Sequence, residues 1–214
     1  MTTLTTVPSR TNVYVDGFNL YYGCLKGTPY KWLDIGALCR LLLPNDHINK
    51  IRYFTAKVSG RPPDLQQPQR QMTYLRALET IPNLSIHYGH FLVNPKCAPL
   101  QHPNFPGQTV WVMNTEEKGS DVNLATYLLL DAFQNDYEVA VVISNDGDLK
   151  LPVALVQSEL HRAVGVVNPH PAWKRSRAMS PSFFKQIRPG ALKASQFSPT
   201  LTDSVGTITK PLSW

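Results

Sequence analysis

One short segment constrains the fold of this chain more than any other, the uninterrupted apolar run VAVVIS at residues 139–144. A strand with apolar residues on both of its faces is typical of the interior of a parallel sheet that is covered by helices on both sides. Parallel neighbours need long crossover connections, usually helices. The run therefore predicts an α/β fold in which strands and helices alternate.

The rest of the chain alternates in this way. Strand-like patterns occur at residues 12–16, 48–57, 84–93, 110–113 and 163–167. Helical spacing of apolar residues occurs at 33–43, 69–80, 120–133 and 149–160, with Asp34 and Ser120 as candidate N-caps. Residues 94–108 contain four prolines and predict a long irregular connection. The order of these elements predicts a three-layer α/β/α domain with a mainly parallel central sheet.

The net positive charge of the protein comes from one end of the chain. There are 21 Lys and Arg against 15 Asp and Glu, and the whole excess of +6 lies after residue 169, where the strand and helix pattern also ends. A basic strip beside a neutral body attracts an anionic polymer, because each phosphate contact releases counterions. We predict a disordered or extended N-terminus at residues 1–11, a domain at 12–169 and an irregular basic C-terminal extension at 170–214.

Cysteine usage and hydropathy limit the compartment. Three cysteines without a CxxC pair indicate neither a disulfide framework nor a zinc knuckle. The first ten residues lack an apolar leader, and the most apolar run, residues 127–130, is far too short to span a bilayer. We expect a cytoplasmic protein with no membrane partner.

Acidic residues follow two of the predicted strands. Asp16 ends the first strand, Asp146 and Asp148 follow residues 139–144, and Asp121 begins a predicted helix. Because ligands bind at the carboxyl ends of parallel strands, we expect these carboxylates to converge. Such a cluster persists only when it is protonated or binds a cation, and oxygen ligands suit Mg²⁺ or Mn²⁺. Each aspartate alone would also serve as a turn or cap residue.

The chemistry that such a cluster supports is metal-assisted phosphodiester hydrolysis, which needs no Ser, His or Cys nucleophile. Glu117 adds a further acid just before the predicted helix at 120–133. Lys118 is a candidate to balance the acidic cluster or to contact phosphate.

Three motifs resemble the NYN domain family, a branch of the PIN-like nucleases, and within it the bacterial LabA-like group. They are VYVDGFNLYYG at residues 13–23, EKGSDVNLA at 117–125 and VISNDGDL at 142–149. The resemblance covers roughly residues 12–168 and implies a Rossmann-like PIN fold, an acidic Mg²⁺ or Mn²⁺ site and ribonuclease activity.

The resemblance also implies roles for single residues. The catalytic and metal-binding carboxylates would be Asp16, Asp121, Asp146 and Asp148. The supporting residues would be Asn19, Ser144, Asn145, Lys118 and Glu117. Many relatives carry another acid six positions after the equivalent of Asp121, where this chain has Tyr127 and where Asp131 lies one turn later. The fourth ligand and the number of metal ions therefore stay open.

The end of the chain, with FFKQIRPGALKASQF and KPLSW, resembles an extension found in a subset of such bacterial proteins. Its basic residues are candidate phosphate contacts, with interleaved aromatic residues as stacking platforms for single-stranded RNA. These basic residues are Lys174, Arg175, Arg177, Lys185 and Arg188. Alternatively, the aromatic residues pack the extension onto the body.

The leading hypothesis is a metal-dependent ribonuclease acting on single-stranded or loop RNA, with endonucleolytic and exonucleolytic action both open. The oligomeric state is also open, although a homodimer could build a longer RNA groove. The alternative is a catalytically weak RNA-binding or regulatory module that acts through its basic tail or a protein partner. A HAD-like phosphatase is disfavoured because Phe18 stands where its second aspartate would be needed. A Toprim-like site is disfavoured because VDGFN supplies no glutamate.

Overall fold

A computed structural model describes residues 8–60, 62, 64–101 and 107–214 and is built around one parallel sheet. Its strands are β1 (Arg10–Asp16), β2 (His47–Thr55), β3 (Leu84–Tyr88), β6 (Val139–Ile143), β7 (Ala163–Asn168) and β8 (Phe183–Gln186). Their order is β3-β2-β1-β6-β7-β8, and every neighbouring pair is parallel. The predicted α/β class and mainly parallel sheet are confirmed.

Helices cover both faces of this sheet. One face carries α1 (Gly17–Leu20), which continues into a π-helical turn (Tyr21–Leu25), with α2 (Ile35–Leu42), α3 (Gln67–Leu78) and α6 (Pro189–Ala194). The other face carries α4 (Ser120–Phe133) and α5 (Lys150–Ser158). Val141 packs with the first layer and Val142 with the second, which explains why this strand is apolar at consecutive positions. None of the helices in the described ranges is long and apolar enough to cross a membrane.

The two predicted N-caps differ in outcome. The Asp34 side chain accepts a hydrogen bond from the Ala37 amide at 2.9 Å, so its prediction is confirmed. The prediction for Ser120 is wrong, because Gly119 is the N-cap of α4, with φ of 96°, and Ser120 is the first helical residue. Ser120 instead donates its backbone N–H and its hydroxyl to the Glu117 carboxylate, at 3.2 and 2.6 Å.

An antiparallel hairpin of β4 (His90–Pro99) and β5 (Thr109–Lys118) stands apart from the main sheet. The predicted irregular connection is therefore wrong at residues 94–99, and its residues 102–106 lie outside the described ranges. Prolines are tolerated in β4 because both edges of a two-stranded sheet are free and many amides face outward. The hairpin exposes Trp111, which is 71% exposed.

The C-terminal residues are bound to the body. β8 pairs with β7, and the phenyl ring of Phe183 lies so close to Gly165 that a Cβ there would come within 2.1 Å of it. Beyond α6 the chain forms a second hairpin of β9 (Thr200–Asp203) and β10 (Gly206–Thr209). The extension thus contains more regular structure than its composition indicates, and part of its aromatic set serves as packing.

Trp32 shows how firmly this end is attached. It is fully buried, and its indole N–H donates to the Ser198 carbonyl oxygen at 2.8 Å. Its ring contacts Phe197 and Trp214, with centroid separations of 5.8 and 6.4 Å. Two segments nearly 170 residues apart in sequence therefore share one aromatic cluster.

A buried ion pair connects β1, β2 and α4 on the other face. Arg52 donates from Nε and Nη2 to the two oxygens of Asp131, at 2.7 and 2.8 Å. The Tyr14 hydroxyl donates to the same carboxylate at 2.7 Å. Burial, followed by the Asp131 charge, raises the pKa of Tyr14, so this hydroxyl stays protonated and acts as a donor.

Candidate active site

The acidic residues meet at the carboxyl edge of the sheet, between β1 and β6. Asp16 is the last residue of β1, and Asp146 follows β6 at the N-cap of a 3₁₀ turn (Gly147–Leu149). The chain adds strands outward from β1 towards β3 on one side and from β6 towards β8 on the other. Open α/β sheets bind ligands at such a point, where the strand order reverses. Asp121 joins them from the first turn of α4 and interacts electrostatically with both Asp16 and Asp146.

Asp16 is the most buried member of the cluster, at 5% exposed. Its carboxylate accepts hydrogen bonds from the Asn19 amide and the Ser144 hydroxyl, both at 2.9 Å. Burial raises the pKa of Asp16 to about 7, with further increases from the charges of Asp121 and Asp146, against the lowering effect of the two hydrogen bonds. Without a cation, the surroundings of Asp16 therefore favour its protonated form more than those of an exposed aspartate.

Hydrogen bonds join the loops after β1 and β6 into one unit. The Asn19 side-chain oxygen accepts from the Asn145 amide at 2.9 Å, and Ser144 Oγ accepts from the Asp146 amide at 3.0 Å. Asp146 Oδ1 in turn accepts from the Asp148 amide at 2.9 Å. The structure thus brings these supporting residues to the carboxylates, and their contacts orient Asp16 and Asp146.

The carboxylate of Asp121 is half-buried, and its pKa is raised by burial first and then by Asp146, Glu117 and Asp148. Asp148 itself is exposed. Lys118 does not balance this cluster, because its ammonium pairs with Glu116 at 2.7 Å.

A divalent cation is the group that such carboxylates suit. No cationic side chain of the described residues is among the main electrostatic effects on Asp16 or Asp121. The repulsion between the carboxylates is therefore not compensated by these residues of the protein. Across the same residues, no three His, Cys, Asp or Glu side chains approach closely enough to hold one ion together. Mg²⁺ fits this arrangement, since it is usually bound through one or two carboxylates and keeps several waters.

The departure from the family pattern at Tyr127 also has a structural explanation. The Arg52 guanidinium lies over the Tyr127 ring, 4.4 Å from its centroid, and the His87 ring lies 4.3 Å away. Asp131 is bound by Arg52 and Tyr14 and is 1% exposed. Neither Tyr127 nor Asp131 adds a carboxylate to the cluster.

Three of the predicted RNA-binding residues lie beside the acidic loop. The Asn145 side chain donates to the Lys174 carbonyl oxygen at 2.9 Å and accepts from the Ser176 amide at 2.7 Å, which fixes this segment against the loop. Lys174, Arg175 and Arg177 are exposed there.

The other two predicted RNA-binding residues lie elsewhere. Lys185 donates to the carbonyl oxygen of Leu42, so its ammonium is engaged at α2. Arg188 is exposed at the start of α6.

A cavity of about 410 Å³ lies next to the carboxylates, on the β2 side of Asp16. Gly17 separates the two: a Cβ on Gly17 would come within 2.7 Å of the Phe54 carbonyl oxygen and 2.8 Å of the Tyr53 ring. Aromatic side chains line much of the cavity, namely Phe18, Tyr21, Tyr22, Tyr53, Tyr74 and Trp214. The sequence analysis does not identify Tyr53, although its position near the carboxyl end of β2 was an available signal.

The chain is similar to known proteins over most of its length. It is 32% identical to 6-hydroxy-3-succinoylpyridine 3-monooxygenase HspA of Pseudomonas putida, over 97% of this chain and 76% of that protein. Its fold resembles a crystal structure of a protein of unknown function from Vibrio parahaemolyticus, with a TM-score of 0.54, 18% identity and coverage of 86% of this chain and 96% of that one. The family model described as NYN domain matches residues 10–185. The chain therefore belongs to the NYN domain family, as its three motifs predict.

Proposed function

We propose that this protein is a metal-dependent ribonuclease. The observation that carries the proposal is the convergence of Asp16, Asp121 and Asp146 from three separate elements, close enough for the Asp146 charge to raise the pKa of both Asp16 and Asp121. Natural selection for stability alone gives no reason to keep uncompensated carboxylates together. Membership of a family of PIN-like nuclease type supports the same conclusion.

The carboxylates and the groups that orient them have different roles in the proposed reaction. Mg²⁺ or Mn²⁺ would be held by one or two of the carboxylates of Asp16, Asp121 and Asp146 and otherwise by waters, with Asp148 and Glu117 adding negative charge beside them. A divalent cation bound there supplies Lewis acidity for the scissile phosphate and activation of a water. Ser144 and the Asn19 amide hold the Asp16 carboxylate in one orientation, so that it does not have to reorganise when the substrate arrives.

RNA is the proposed partner because cationic side chains border the acidic loop. Exposed Lys174, Arg175 and Arg177 would contact backbone phosphates while the carboxylates stay free for the metal. The Asn145 contacts hold this segment at a constant distance from Asp146. A single strand or loop suits this arrangement, since an open strand can follow the edge of the sheet.

The test is cleavage of a labelled single-stranded RNA and a labelled structured RNA by the purified protein with Mn²⁺, Mg²⁺ or EDTA. We expect products only with a metal, and none with the Asp16→Asn variant, which removes a ligand charge without changing shape. Glu159→Gln is the matched control, because it removes an exposed carboxylate away from the site. Equal cleavage by Asp16→Asn and the wild type would refute the assignment, and RNA binding without cleavage would favour the regulatory module.

A second candidate function is oxygenation of a small aromatic ring, the type of reaction named for the Pseudomonas putida relative. The aromatic cavity beside Asp16 favours it, since a volume of about 410 Å³ is within the range of small-molecule sites. The direct assay is oxygen uptake with 6-hydroxy-3-succinoylpyridine and a reduced nicotinamide as electron donor. Uptake that depends on the pyridine would support this candidate, and its absence together with RNA cleavage would eliminate it.

A further inference from the structure

The cavity beside Asp16 has the shape and surface of a site for a flat ring. Side chains of α1, the π-helical turn and α3 form its walls, and Ser213 and Trp214 lie at one side. Tyr21 and Tyr22 meet edge to face with centroids 5.2 Å apart, and Tyr74 meets Trp214 in the same way at 5.6 Å. Such pairs leave ring faces and edges available to a third aromatic ring at low entropic cost.

The Tyr53 hydroxyl is one of the polar groups that line this cavity. Tyr53 is 6% exposed, and its hydroxyl makes no hydrogen bond with any residue in the described ranges. By contrast, the hydroxyl of the neighbouring Tyr74 donates to the Leu33 carbonyl oxygen at 2.9 Å. A hydroxyl that pairs with no described protein group is available to a water or a ligand in the cavity. Burial raises the pKa of Tyr53, so the group that faces the cavity is a neutral O–H donor.

The charged side chains that line the cavity favour an anionic ligand. Arg70 is paired with Asp64, which leaves that pair close to neutral. Lys31 is half-buried at the cavity wall and forms no ion pair with a side chain of the described residues. A ligand that fills the cavity therefore meets the Lys31 ammonium and the Tyr53 hydroxyl among aromatic surfaces.

From this combination we propose that the cavity binds a planar heteroaromatic ring that carries an anionic group. The ring stacks among the tyrosines, a ring nitrogen or exocyclic oxygen accepts the Tyr53 hydroxyl, and the anion pairs with Lys31. Two sources share this chemistry, a nucleotide with its phosphate and a free heteroaryl carboxylate. Binding here does not require phosphodiester hydrolysis, so this site and the nuclease assignment can fail separately.

The experiment is calorimetric titration of the full chain with uridine 5′-monophosphate and with pyridine-3-carboxylate, in EDTA so that the carboxylate cluster holds no metal. Uridine lacks the anion and ribose 5-phosphate lacks the ring, and each should bind at least about tenfold more weakly than the nucleotide, which is the effect of losing one charged hydrogen bond or the stacking. Preference for one of the two anionic probes identifies the source of the ligand.

Substitutions connect the binding to this cavity. Lys31→Met should weaken binding about tenfold or more, and Tyr53→Phe, which keeps the ring, should weaken it severalfold. Lys193→Met and Tyr30→Phe are the matched controls, because these side chains do not line the cavity. The proposal is wrong if neither anionic probe binds at millimolar concentration, if ribose 5-phosphate binds as tightly as the nucleotide, or if Lys31→Met and Tyr53→Phe bind like their controls.

Discussion

The buried carboxylate of Asp16 makes the stability of the protein depend on pH in an unusual direction. Its pKa is about 7 in the folded protein, against an ordinary value of 3.8. Between these values the folded state binds the proton more tightly than the unfolded chain does, so stability is highest at low pH and is lost as the pH rises through about 7. At about 1.4 kcal/mol for each unit of pKa, the loss amounts to about 4 kcal/mol.

Replacing Asp16 with Asn removes this loss, because the amide is neutral at all pH values and its oxygen can still accept the Asn19 amide. Urea unfolding in EDTA at pH 5 and at pH 8 measures it. We expect the free energy of unfolding of the wild type to fall between the two pH values by up to about 3 kcal/mol more than that of Asp16→Asn, because part of the loss has already occurred at pH 5.

A divalent cation should reverse the effect in the wild type alone. Bound Mg²⁺ or Mn²⁺ neutralises the carboxylates and stabilises the folded state by mass action. The reasoning fails if wild type and Asp16→Asn show the same pH dependence in EDTA.

Three further predictions concern packing and RNA binding. Arg52→Met leaves the Asp131 carboxylate buried without its partner and should lower the free energy of unfolding by about 3–5 kcal/mol, measured by urea titration. Adding Asp131→Leu to this variant should recover much of the loss. Gly17→Ala forces a methyl group against the Phe54 carbonyl oxygen and should cost about 1–3 kcal/mol, detectable as a lower thermal midpoint. Replacing the exposed cations Lys174, Arg175 and Arg177 by serine should reduce the salt slope of single-stranded RNA binding by about 2. Fluorescence anisotropy at several salt concentrations measures this slope, and an unchanged slope would remove the three residues from the interface.

The sequence predicted the central part of the fold well. The apolar run at residues 139–144 and the helix at 120–133 both appear at or within one residue of their predicted ends, because burial on both faces or on one stripe leaves a strong periodic signal. The same logic placed Asp16 and Asp146 at neighbouring strand ends, since parallel topology alone brings such positions together.

What could not be predicted depends on contacts between distant segments. Proline at positions 95 and 99 argues against a strand in local terms, but the isolated hairpin of β4 and β5 has free edges that accept it. The role of Asn145 as a link to residues 174–176 carries no local signal, because an Asn before an acidic turn is common in loops. Tyr53 lies in a strand pattern, and only the assembled fold shows that it lines a cavity.

The aromatic cluster around Trp32 separates two boundaries that are easily confused. The recognised family region ends at residue 185, whereas Phe197, Ser198 and Trp214 all contact the Trp32 ring or its N–H group. A fragment cut at the family boundary would present that indole to water and leave its donor without the Ser198 carbonyl oxygen, a combination that promotes aggregation. The folded unit of this protein therefore extends beyond the family match, so the basic segment should be probed by point substitution rather than by truncation.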